Sequence, residues 1–259
     1  MKKLLGMLPL TFLLFLTGCS TKSAITPQNT GLWDHYFVYP ISFVITQISH
    51  LFQDNYGIGI IGITLLIRLV LTPLVISLND NQWKMQLVQP EMKKLREKYS
   101  AKDQKTQQEL NKEMMNLYKK QGINPAMGCL PAVIQMFILM ALYNAIIRTK
   151  DIAAHTFLWF SLGQTDPYHI LPILAAVATF FQYYVMNKRP NMSDNQMMNQ
   201  QMKMMMYAMP IMIFFMSFNL ASAIGLYWVA GNTFMAIQTM FMERRKLKKT
   251  AALQINEEL

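Results

Sequence analysis

Five apolar stretches, each about as long as a bilayer is thick, constrain this chain more than any other feature. They run over 57–78, 130–147, 170–186, 202–218 and 221–242 and hold 17 to 22 residues apiece. As a helix, 22 residues reach about 33 Å, enough to cross a hydrocarbon core of about 30 Å. Composition agrees: 53% of the 259 residues are hydrophobic and 15% charged. A soluble domain carries about 25% charged residues, so this chain lacks the polar surface to coat a globule in water. Eleven Gly and eleven Pro exclude a collagen-like or low-complexity chain, and two Cys cannot build a disulfide framework. The apolar content leaves unexplained a formal net charge of +10.

The N-terminus reads as a secretory signal. Lys2 and Lys3 precede an apolar stretch from Leu4 to Leu16, and Leu16-Thr17-Gly18-Cys19 follows. Small residues running into a Cys resemble the lipobox of bacterial lipoproteins. In that reading 1–18 is removed, Cys19 becomes the lipidated N-terminus, and 19–30 is a tether, beginning Ser20, Thr21, Lys22 and Ser23. The alternative is an ordinary signal in which Cys19 merely falls near the cut. Cys129 stands alone beside Gly128, and packing is the role expected of it.

Over 31–56, Phe37, Ile41, Val44, Ile48 and Phe52 recur at spacings of four and three. The spacing predicts an amphipathic helix, interrupted at Pro40, lying in the outer interface rather than spanning. The first span is placed at 57–78. Residues 79–128 then hold ten Lys/Arg and six Asp/Glu. Met85, Val88, Met92, Leu95 and Tyr99 recur at three and four, as do Leu110, Met114 and Leu117. The pattern predicts an antiparallel helical hairpin over 79–129, its second helix ending at Gly122 with Pro125 beyond. Pro90 is awkward inside the first helix, whose regular part therefore starts there. Spans two to five follow within 130–242, with polar links at 148–169 and 187–201 and a tight turn at Asn219, before a basic tail over 243–259.

The fold class expected is an all-α polytopic membrane protein with five transmembrane helices, a cytoplasmic helical hairpin and an N-terminal interfacial helix. Counting positive residues orients it. With the N-terminus outside, the hairpin, the 187–203 link and the tail are inside and hold eighteen of the 24 Lys/Arg. The C-terminus is then in the cytoplasm.

One positive residue breaks that pattern. Arg68 lies near the middle of the first span, where an arginine costs about 2.5 to 3.5 kcal/mol on insertion scales. No Asp or Glu occurs in any of the five stretches. Arg68 must therefore face water inside the protein or an acidic group arriving from elsewhere, the alternative being that it snorkels to a headgroup. Thr64 and Thr72 flank it at four-residue spacing, and Pro73 leaves the Leu69 carbonyl without its usual donor. Gln135, Asn144, Gln182, Trp228 and Asn232 are further polar groups on the spans; each alone reads as an interhelical hydrogen-bonding residue, and collectively they suggest a groove open to the cytoplasm. Gln135 and Asn144, nine apart, cannot both face it. Met197, Met198, Met202, Met204, Met205, Met206, Met209 and Met212 form a flexible cluster that suits either varied apolar partners or lipid.

These residues together resemble the YidC family of membrane protein insertases, in the lipoprotein form of Gram-positive bacteria. The resemblance covers nearly the whole mature chain. It rests on Leu66-Ile67-Arg68-Leu69 before Pro73, on Asn124-Pro125-Ala126-Met127-Gly128-Cys129-Leu130-Pro131 leading to Gln135, on Phe157-Leu158-Trp159-Phe160 with Asp166-Pro167, and on Leu226-Tyr227-Trp228 before Gly231-Asn232. It implies a five-span core with a cytoplasmic hairpin and a hydrophilic groove, in which Arg68 attracts acidic substrate segments and Thr64, Gln182 and Trp228 line the groove or touch substrate. Phe137 stands where many relatives carry Pro.

The function implied is insertion and folding of other membrane proteins, without catalysis, nucleotide, metal or other cofactor. The partners implied are nascent membrane proteins and membrane lipids, with the ribosome and the Sec translocon as further candidates, and a monomer suffices. The basic tail is read equally as a contact for ribosomal RNA or for anionic lipid. A small transporter or channel is the alternative, but the chain has neither internal repeats nor acidic residues in its spans. A membrane enzyme is disfavoured, since His35, His50, His155 and His169 all lie outside the spans and no nucleotide loop or zinc motif occurs.

Overall fold

A computed structural model describes residues 24–26, 31–101, 103–128, 130–187 and 196–257, of which 196–202 and 244–257 by backbone alone. Cys19 and Cys129, and with them the signal and lipid-anchor readings, lie outside the described residues. In chain order a π-helical turn Asp34–Val38 leads into α1 (Tyr39–Leu51), followed by α2 (Tyr56–Leu87), α3 (Gln89–Lys98), α4 (Gln104–Lys120), a 3-10 turn Pro125–Gly128, α5 (Leu130–Arg148) and α6 (Lys150–Ala154). Strands β1 (Thr156–Phe157) and β2 (Phe160–Ser161) precede α7 (Ile170–Asn187), α8 (Gln196–Ser217) and α9 (Ser222–Glu257).

Three of these helices, α2, α5 and α7, are long and apolar enough to cross a membrane, and Lys203–Ser217 within α8 is a shorter apolar helix. Two expected boundaries were limits of polarity rather than of helix. The first span was placed at 57–78, yet α2 continues nine residues further to Leu87 because Asn79–Gln86 contains no helix breaker. Likewise α9 runs unbroken past Met242 to Glu257, so 243–257 continues a helix rather than starting a separate tail. Pro90 sits in the first turn of α3, where its missing N–H has no partner to lose.

Register fixes the direction of packing. Arg68 meets Tyr227, Thr72 meets Gln238 and Asn79 meets Met242, so α2 and α9 run parallel. Thr179 meets Asn232 and Gln182 reaches Met235, so α7 also runs parallel to α9. The rings of His169 and Phe218, and of Phe180 and Tyr207, pair in the reverse order, setting α8 antiparallel to α7. Along α8, Met204, Met205, Met212 and Met216 stay exposed.

The face of α1 turned to the protein coincides only in part with the apolar stripe read from spacing. Val38, Ser42, Ile45 and Ser49 are buried, whereas Phe37 and Phe52 are exposed and Ile41, Val44 and Ile48 half-buried. Small residues face α2 because the helices approach closely: a Cβ on Gly59 would lie 2.3 Å from Ser49 Oγ and 2.7 Å from the Ile45 carbonyl. Pro40 falls in the first turn of α1 rather than interrupting it. Ahead of α1, Asp34 accepts two guanidinium hydrogen bonds from Arg148 at 2.8 and 2.7 Å, and the Ile25 amide donates to the Arg148 carbonyl. Phe137 packs toward Trp33, with ring centroids 6.0 Å apart, and α5 passes through it without a break.

The 148–169 link is more than polar connection. Ile152, Phe160 and Leu162 are fully buried, and β1 and β2 form a two-stranded antiparallel ribbon, a small departure from an all-α chain. Asp166, buried, accepts from Trp159 Nε1, the Tyr168 amide and the Leu171 amide at 3.0, 3.1 and 2.7 Å, capping the start of α7.

Within 79–128, α3 and α4 pack through Val88, Met92, Leu117, Tyr118 and Ile123, with Met85, Leu95 and Met114 at the edge. Tyr118 donates to Met92 Sδ at 3.1 Å, and burial raises its phenol above the ordinary value. Asp103 caps α4 by accepting the Thr106 amide. Gly122, at φ 61, ends it: Ile123 N–H reaches the Tyr118 carbonyl and Gly122 N–H the Lys119 carbonyl.

Candidate functional site

Arg68 lies on α2 five residues before Pro73, and its side chain turns inward while Leu65, Leu66, Leu69 and Val70 stay exposed on the outer face. The residue is 9% exposed. Its Nη2 donates to Gln135 Oε1 on α5 at 3.3 Å and to Tyr227 Oη on α9 at 3.4 Å, both at the long end of hydrogen bonding. Gln135 Nε2 donates to the same Tyr227 oxygen at 2.9 Å, closing a ring of three side chains from three helices. The guanidinium carbon also lies 5.8 Å from the Tyr227 ring centroid. Arg68 Nε is buried without a hydrogen-bond partner, and among the described residues Arg68 joins no ion pair.

The arrangement is a buried cation contacted by neutral acceptors. A buried cation with only neutral partners costs several kcal/mol, and an unpaired donor adds to that. An incoming carboxylate relieves both at once, since charge-assisted hydrogen bonds are shorter and about twice as strong as neutral ones. Gly231 lets the guanidinium press against α9: a Cβ there would lie 3.0 Å from Nη2 and 3.3 Å from Nε.

The structure separates the groove residues named from sequence. Thr64 is fully buried one turn before Arg68, but its hydroxyl donates to the Ile60 carbonyl at 2.6 Å, and its methyl faces Gly231. Gln135 reaches Arg68, whereas Asn144 is turned away and donates to the Met140 carbonyl. Gln182 lies in the α7–α9 contact, its amide 3.9 Å from both Met186 Sδ and Met235 Sδ. Asn232 sits in the same contact, donating to Thr179 at 2.6 Å. Trp228 is buried in the main apolar core. On α9 it lies about 100° of helix from Tyr227 and about 60° from Gly231. Sequence reading missed Tyr227 and Gly231 as neighbours of Arg68, although their spacing of four puts them on one face of α9.

An open pocket of about 400 Å³ lies further along α2, lined by Pro73, Ile76, Ser77, Asp80, Asn81 and Lys84, with Gly122 and Met127 opposite. Asn81 secures that opposite wall, donating to the Asn124 carbonyl and accepting the Asn124 amide. Thr72, between Arg68 and the pocket, accepts from Gln238 at 2.8 Å.

Residues 47–250 match the family model described as 60Kd inner membrane protein. The chain is 49% identical to membrane protein insertase YidC 2 of Bacillus anthracis over 255 residues, covering 97% of this chain and 98% of that one. It is 50% identical to membrane protein insertase MisCA of Bacillus subtilis (strain 168), covering 91% and 89% respectively. A crystal structure described as active YidC insertase with its first transmembrane domain resolved superposes with a TM-score of 0.59 at 25% identity, over 81% of this chain and 47% of that chain. With half its residues identical to these insertases along nearly its full length, the chain belongs to the YidC family of membrane protein insertases.

Proposed function

We propose that this chain inserts and folds other integral membrane proteins by receiving acidic segments at Arg68. The observation that carries the reading is the buried Arg68 guanidinium, which has only neutral partners and an unpartnered Nε. Placed in a membrane, it attracts a carboxylate that would otherwise cross lipid unpaired. The attraction is transient because the exchange replaces existing hydrogen bonds rather than adding an isolated pair, so the acidic end is released outward as the apolar segment settles among the helices.

Five spans fit the alternating directions of packing, with α2, α7 and α9 parallel and α8 reversed. In this topology the N-terminus is outside, lipidated at Cys19. The α3–α4 hairpin and the basic C-terminal end of α9 lie in the cytoplasm, where nascent chains, the ribosome or the Sec translocon meet them. The pocket between α2 and residues 122–127 is then the cytoplasmic entrance toward Arg68, and Thr64, Gln182 and Trp228, all buried, bear on the substrate's path through the helices they hold together. The protein acts as a monomer in the bacterial cell membrane and turns over no substrate chemically.

The test replaces Arg68 with Ala and with Lys and measures insertion of one single-span substrate carrying an acidic translocated segment and of its neutral counterpart. Arg68→Ala selectively slows the acidic substrate, and Arg68→Lys restores part of its rate. Equal insertion of both substrates by the alanine variant at wild-type rates rules the electrostatic step out.

A further inference from the structure

The ring formed by Arg68, Gln135 and Tyr227 has an asymmetry that bears on specificity. Tyr227 is 1% exposed and Arg68 9%, whereas Gln135 is half-buried on a stretch of α5 whose Val133, Met136 and Phe137 are exposed. Gln135 is therefore the member with room to move. It is also held more firmly to Tyr227, at 2.9 Å, than to Arg68, at 3.3 Å.

We propose that Gln135 is a surrogate ligand: its amide oxygen occupies, on Arg68 Nη2, the position that a substrate carboxylate oxygen takes, and Tyr227 Oη holds it there until exchange. The proposal rests on the reading of Arg68 as the carboxylate receiver and adds the residue that sets its selectivity. An apolar side chain at 135 would withdraw one of the two acceptors on Nη2 beside an Nε that already has none. A carboxylate at 135 would neutralise Arg68 permanently and leave nothing for substrate. A primary amide stands between these cases. It satisfies the donor weakly, yields to an anionic oxygen that bonds more strongly, and keeps its own hydrogen bond to Tyr227 while displaced. Gln135 is thus a positioning and specificity-determining residue, acting through Arg68.

The experiment uses the full chain with Gln135→Glu and Gln135→Ala, the paired acidic and neutral substrates, and the acidic-to-neutral insertion ratio as readout. The carboxylate introduced by Gln135→Glu lies beside a permanent cation, so it stays ionised and competes with substrate. Gln135→Glu lowers the ratio about tenfold, the order of one charge-assisted hydrogen bond, toward the Arg68→Ala value. Gln135→Ala keeps the ratio or raises it, because the competitor is gone. A merely structural role at 135 would lower both substrates together in both variants and leave the ratio unchanged; that result overturns the proposal, as does an unchanged ratio in Gln135→Glu alone. If Arg68→Ala abolishes the acidic preference while Gln135→Glu does not, the surrogate falls and the function stands. If Arg68→Ala leaves the preference intact, both fall.

Discussion

Removing Asp34 tests a buried ion pair that ties the chain ahead of α1 to the end of α5. Arg148 ends α5 with a side chain only 5% exposed, gripped by Asp34, itself 18% exposed, through two hydrogen bonds of 2.8 and 2.7 Å. Beside it Ser42 and Thr149 share a hydrogen bond of 2.7 Å, and the Ile25 amide donates to the Arg148 carbonyl at 3.1 Å. Asp34→Ala leaves a buried guanidinium without its carboxylate. Breaking a buried pair costs about 3–5 kcal/mol, and the residual exposure of Asp34 points to the lower end. For a chain of this size about 3 kcal/mol corresponds to a fall in Tm of roughly 6 to 12 °C. The assay is thermal unfolding of the detergent-solubilised protein followed by tryptophan fluorescence. Replacing both partners, Asp34→Leu with Arg148→Met, removes the stranded charge and recovers at least half of the loss. A single-variant shift below about 2 °C, or a double variant no better than Asp34→Ala, refutes the reasoning.

Two further outcomes are expected. Gly59→Ala drives a methyl against the Ile45 carbonyl and Ser49 Oγ and destabilises the α1–α2 contact by about 1–3 kcal/mol, measured as Tm. Adding Ser49→Ala recovers only part, because the carbonyl remains, and wild-type stability in Gly59→Ala would show that the helices do not approach so closely. The Thr106 amide holds Asp103 below the ordinary carboxylate value, so this contribution to α4 is present above the unfolded pKa and is lost as pH falls through the folded one. The amide resonance of Thr106 should titrate with a midpoint below that of a free aspartate, and Asp103→Asn, which caps without titrating, should abolish the transition; a midpoint at the ordinary value would show that the cap does not form.

Much of the candidate site was legible because its logic is one of missing charge. Arg68 stands out in sequence since no acidic residue occurs in any apolar stretch, and the structure leaves it without an ion pair among the described residues. Gln135 and Asn144 could not both face it, and geometry chose Gln135. The walls were less legible. Gln182 and Trp228 are polar or amphipathic and lie on apolar helices, but polarity does not say which neighbour a side chain meets, and the structure puts one between α7 and α9 and the other in the core. Tyr227 and Gly231 gave little signal because an aromatic and a glycine are ordinary in an apolar helix; only the approach of α2 to α9 makes them neighbours of a cation.

The sequence by itself determined that α2, α5 and α7 are long and apolar enough to cross lipid, where α4 stops, and that one arginine would be left over, since apolar length, a glycine at a left-handed position and charge composition are local properties. Its span limits at 78 and 242 mark changes of polarity, and α2 and α9 run on past both because the backbone hydrogen-bond ladder does not depend on side-chain polarity. Tertiary structure alone decided which face of α1 is buried, that Arg148 is paired across the chain with Asp34, and that Arg68 is met by Gln135 and Tyr227. Those choices depend on how closely helices approach and in what register. A close approach through Gly59 or Gly231 is set by the residue opposite, and for Gly231 that residue, Arg68, sits on a helix far away in the chain.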